Sequence, residues 1–125
     1  MTPSDVDVAR VVHARLEAQG FVAAAALLAF ALTTPYAEYR EAVCRAIARE
    51  VRAAAAREAR THDLLVQLRR RGLTRGTRRA FAELTALAEL VEAFAAGDIE
   101  ATRAALASMG ERNDRGARAP EGMSR

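Results

Sequence analysis

The chain has 125 residues, the length of one ordinary domain, which supplies a single core but not two independent ones. About half of its residues are apolar, yet 31 of them are alanine and only Phe21, Phe30, Phe81, Phe94, Tyr36 and Tyr39 are aromatic. The core is therefore thin, and alanine-faced helices must either approach one another closely or leave apolar surface for a partner to cover. The net charge is +3, carried by nineteen arginines and no lysine against sixteen acids, so the placement of arginine is more informative than its identity.

In chain order, a first helix is expected from Ser4, with Asp7 as a loose capping box and Val8, Val12 and Leu16 recurring at spacing four; Gly20 ends it. Phe21, Val22, Leu27, Leu28 and Leu32 then make a second helix, apolar on most faces and so expected at the centre of the fold. The "TTPY" stretch stops it and opens a third, with Thr34 as N-cap and Pro35 in the first helical position. That helix places Tyr36, Tyr39, Val43, Ile47, Val51 and Ala54 on one stripe and mixed charges, Glu41 and Arg45 among them, elsewhere. It either ends near Arg60 or runs on, straight or bent at Thr61, to Gly72; Thr61 and Asp63 suit a cap as well as a helix interior.

After a turn at "GLTRGT" the next helix carries Phe81, Leu84, Leu87 or Ala88, Val91 and Phe94. Gly97 closes it, Asp98 caps the last helix, and Ile99, Thr102, Leu106 and Met109 form the final stripe. From Gly110 onward apolar periodicity is lost and disorder is expected. With no alternating β-branched runs, the fold class is all-α: a compact, alanine-rich bundle of five or six helices, one domain over 1–109 with a disordered tail over 110–125.

Catalytic chemistry has little to work with. His13 and His62 are the only histidines, and Cys44, the only cysteine, borders an apolar stripe as a small buried residue would. One cysteine also excludes an intrachain disulfide and any cysteine-cluster metal site. Glu38 with Glu41, and Glu89 with Glu92, are three apart, but a glutamate followed three residues later by histidine is missing. Nor does "RGLTRGT" follow a strand or contain a P-loop lysine. No enzyme activity, metal or cofactor is expected. The N-terminus has acids where a signal peptide has positive charge, and no apolar run is long enough for a bilayer, so a soluble cytoplasmic protein without membrane contact is expected.

The exceptional stretch is "LRRRGLTRGTRRAF", residues 68–81. From Arg57 to Arg79 eight arginines face only Glu58 and Asp63, a local charge of +6 in a chain whose total is +3. Arg69, Arg70 and Arg71 suit the carbonyl end of the preceding helix, whereas Arg78 and Arg79 fall in the first turn of the next, where the dipole disfavours cations. An anion resolves that conflict. Helix-start N–H groups, Gly72, Gly76 and the hydroxyls of Thr74 and Thr77 then form a phosphate site with Arg69, Arg70, Arg71, Arg75, Arg78 and Arg79.

A helix-turn-helix register fails, because Arg78 falls where an inward-packing residue belongs, and no aromatic lies between Arg57 and Arg79 to stack on bases. The expected function is non-catalytic binding of RNA or DNA backbone, with a protein partner or a homo-oligomer in a nucleoprotein complex. The alternative is a protein-interaction adaptor or a self-assembling scaffold, in which the arginines meet an acidic partner or the acidic segment from Leu84 to Leu106 of a second copy.

Overall fold

The computed structural model describes the chain over residues 3–69 and 71–109. Among these residues lie five helices and no strand: α1 (Pro3–Ala18), α2 (Val22–Ala31), α3 (Ala37–Gln67), α4 (Arg71–Ala95) and α5 (99–109). The expectation of a disordered tail over 110–125 lies outside the described residues.

Two helix ends follow directly from glycine. Gly20, at φ +88, donates to the Glu17 carbonyl at 3.0 Å while Phe21 N–H reaches back to Leu16 at 2.9 Å. This is the Schellman pair, which needs the left-handed residue that glycine supplies without steric cost. Gly97, at φ +75, repeats it: its own N–H bonds Phe94 and that of Asp98 bonds Ala93, both at 3.1 Å. The Asp98 carboxylate then accepts from Ala101 N–H at 2.9 Å and caps α5 as expected.

The core collects one stripe from each helix. Val8, Val12 and Leu16 of α1 meet Leu28 of α2, Val43, Ile47 and Val51 of α3, and Leu87, Leu90 and Val91 of α4. Burying a side chain of that size contributes about 1.5–3 kcal/mol. Leu106 and Met109 of α5 pack against this cluster from outside, and Thr102 is fully buried with its hydroxyl donating to the Asp98 carbonyl at 2.7 Å. Between α3 and α4 an Arg52–Glu92 bridge, Nη2 to Oε1 at 2.6 Å, joins the two helices beside the core.

Three expectations change, and one open alternative is decided. α2 is not central: Ala24, Ala25, Leu28 and Ala31 are buried, but Val22, Leu27 and Phe30 face outward, because the thin core is filled by alanine on one side of this short helix. α3 begins at Ala37, not at Pro35; its N-cap is Tyr36 with no side-chain cap bond, and the Thr34 hydroxyl accepts only a long 3.4 Å bond from Tyr36 N–H. α3 then runs unbroken through Thr61, whose hydroxyl turns back to the Arg57 carbonyl at 3.1 Å instead of capping a new helix. Finally, the turn expected at residues 72–77 is helical. The chain reverses earlier, where Leu68 caps α3 and Arg69 adopts φ +56 with its N–H on the Val66 carbonyl at 3.0 Å.

Candidate functional site

A connection this short between two helices makes an antiparallel hairpin. α3 has 31 residues and α4 has 25, so at 1.5 Å per residue they extend about 46 and 37 Å. Burial along α3 stops at Ala55 and resumes on α4 only at Leu84. The described residues between them therefore form an arm reaching roughly 20 Å past the core. Gln19, just past the end of α1, touches its base through Glu83, Nε2 to Oε2 at 3.4 Å.

The arm is held by a modest seam. Ala59, His62 and Leu65 on α3 and Thr74, Thr77 and Ala80 on α4 are half-buried where the helices meet. At its middle His62 Nδ1 lies 2.9 Å from Thr77 Oγ1, which is itself 3.1 Å from the Thr74 carbonyl. The hydroxyl has one proton and two acceptors in reach, so either it donates to the carbonyl and accepts from Nδ1–H or it donates to a bare Nδ1, according to the imidazole tautomer.

Outside the seam the charge is mostly arginine. On α4, Arg75, Arg78 and Arg79 are exposed and spaced three and four apart, which puts them on one face, directed away from α3. On α3, Arg57 and Arg60 are exposed on the side turned away from α4. Arg69 stands at the tip in its left-handed conformation. Arg79 pairs with Glu83, Nε to Oε1 at 3.2 Å. The guanidinium groups of Arg57, Arg60, Arg69, Arg75 and Arg78 have no hydrogen-bond or ion-pair partner among the described residues. Residues 56–83 together carry eight arginines against Glu58, Asp63 and Glu83. The charge surrounds the arm; it is not gathered into one flat patch.

The residues expected to form a phosphate site are thus sorted into groups. Arg75, Arg78 and Arg79 come together, with Arg69 one arm-end away. Thr74 and Thr77 lie on the opposite side of α4 facing α3, and the Thr77 hydroxyl is already engaged. Gly72 and Gly76 sit inside the helix with open space where a side chain would project. Arg71 opens α4, so Arg78 and Arg79 stand about two turns in, beyond the reach of the dipole effect at a helix start. Arg70 and the side chain of Arg71 lie outside the described residues. Arg57 and Arg60 were left out of the expected site because their facing depends on whether α3 continues past Thr61. Leu64, Leu68 and Leu73, exposed near the tip, were likewise not anticipated.

Elsewhere, a cavity of about 260 Å³ between α2, α3 and the end of α4 is lined by Leu28, Leu32, Arg40, Glu41, Cys44 and Phe94. Its polar groups are committed: Arg40 donates to the Thr34 carbonyl at 2.7 Å and Glu41 pairs with Arg45. Burial pushes the Cys44 thiol up to about 11, away from the reactive thiolate. Among the described residues no cluster of three metal-ligating side chains occurs, and no helix is long and apolar enough to cross a membrane. Comparison with protein-family models, with curated proteins and with solved structures found no match to this chain.

Proposed function

We propose that the protein is a non-catalytic binder of nucleic-acid phosphate backbone, acting through the α3–α4 arm as a small subunit of a nucleoprotein complex. The observation that carries this reading is the set of five exposed, unpaired arginines on an arm with no buried residue of its own. Such charges add nothing to the fold and repel one another, and a polyanion is the partner that offsets that repulsion. Arginines on both outer faces suit contact with phosphates on two sides, as where strands flank a groove or a loop wraps the arm. Readout is expected to be insensitive to sequence, since the arm offers no aromatic platform for stacking before Phe81.

The second reading, a protein-interaction adaptor, draws on the exposed Leu64, Leu68 and Leu73 at the tip. An acidic protein partner with an apolar centre would suit those residues together with the arginines. Fluorescence anisotropy with labelled single-stranded RNA and duplex DNA separates the two. Arg75→Glu/Arg78→Glu should weaken binding at least tenfold and flatten the salt slope by about 2, because each lost phosphate contact removes close to one unit. Arg10→Glu/Arg49→Glu, with the same change in net charge but away from the arm, should keep the native slope. Equal losses in both variants would mean that net charge, not the arm, attracts the nucleic acid.

A further inference from the structure

α2 contains no polar side chain at all. Its inward residues are satisfied by the core, while Val22, Ala23, Ala26, Leu27, Ala29 and Phe30 are exposed, forming one continuous apolar arc of roughly 160° around the helix. The arc continues onto the next segment. Phe30, 63% exposed, meets the Tyr39 ring edge-on at 6.5 Å, and Tyr36 and Tyr39 are 72% and 41% exposed. On the other flank Ala29 borders a groove lined by Val6, Ala9 and Leu32, and also by Arg10 and His13.

We propose that this face is where two copies of the chain meet about a two-fold axis. Area is the first reason. At about 200 Å² per aromatic residue, Phe30, Tyr36 and Tyr39 alone present on the order of 350 Å². Val22, Leu27 and the three alanines raise the face to roughly 600 Å², at the top of what a monomer exposes in one patch and near the ~800 Å² per partner of a stable pair. Chemistry is the second reason. The uncharged α2 arc calls for an uncharged partner, and among the described residues of the body no other surface groups as many exposed large apolar side chains. Set against itself, the Ala23, Ala26 and Ala29 ridge lets two helices approach closely while Val22, Leu27 and Phe30 fill the space beside it.

The pairing does not rest on phosphate binding. Tyr39 and Arg57 are eighteen residues apart on α3, about 27 Å along its axis, so the pair leaves both arms clear.

The test is the mass of the full chain in solution without nucleic acid, by sedimentation or light scattering at low and high salt. The native chain should carry two-chain mass that survives high salt, and Phe30→Glu and Leu27→Lys should each fall to one-chain mass with unchanged helical circular dichroism. Both positions are exposed, so folding should persist; Val22→Glu, at the edge of the face, supplies a third variant. A native mass of one chain, or a two-chain mass untouched by all three substitutions, overturns the proposal. So does a pair that dissolves in salt, which indicates arginine-to-acid contacts instead.

Discussion

Cys44 is 4% exposed, and that burial lifts its thiol from 9.0 to about 11, against a smaller opposing pull from the Arg40 guanidinium. The unfolded chain loses this proton near the lower value and the native chain only near the higher one. Stability from this group is therefore intact below about pH 9 and is lost as pH rises toward 11, by on the order of 2 kcal/mol in all. Denaturant melts between neutral and alkaline pH check the trend, and at neutral pH iodoacetamide should label Cys44 only in the unfolded chain. Arg69 gives a second prediction at this scale. A left-handed arginine costs roughly 1 kcal/mol that glycine avoids, so Arg69→Gly should raise the melting temperature slightly. It should also reduce the salt slope of nucleic-acid binding by about 1, because one phosphate contact is gone.

Among the elements, the contrast between α1 and α4 shows where sequence is enough. α1, the close at Gly97 and the stripe of α5 are legible because a local device fixes each: a left-handed glycine, a capping aspartate, a spacing of three and four. The start of α4 is not legible, since Gly72 and Gly76 read as turn residues, and only the seam with α3, with His62 on Thr77, explains why they are helical. Two glycines inside a helix cost about 1 kcal/mol each relative to alanine, and both have open space for a methyl group. Gly72→Ala/Gly76→Ala should slow amide exchange over residues 72–80 at least fivefold while scarcely changing exchange in the core around Leu87 and Leu90. Equal slowing in both regions would mean that arm and body open as one unit. α2 lies off the centre for a reason its sequence does not carry: apolar residues mark a face that avoids water without saying what covers it.

On the scale of the whole molecule, a core of small and branched apolar residues lies at one end and a charged arm at the other. The concentration of charge between Arg57 and Arg79 is plain in the sequence, but its division between two outer faces and a tip emerges only once α3 is continuous and the reversal falls at Leu68 and Arg69. Arg75, Arg78 and Arg79 group together because they share a helix face, whereas Thr74 and Thr77, each next to one of these arginines in sequence, are drawn into the seam. The most direct test of phosphate binding by the arm is the salt dependence of affinity for labelled duplex DNA and single-stranded RNA. With the five unpaired arginines engaged, the logarithm of the binding constant should fall against that of salt with a slope of about −4.5 on duplex and −3.5 on single strands. A slope near zero, or no binding by the folded chain at low salt, would contradict it.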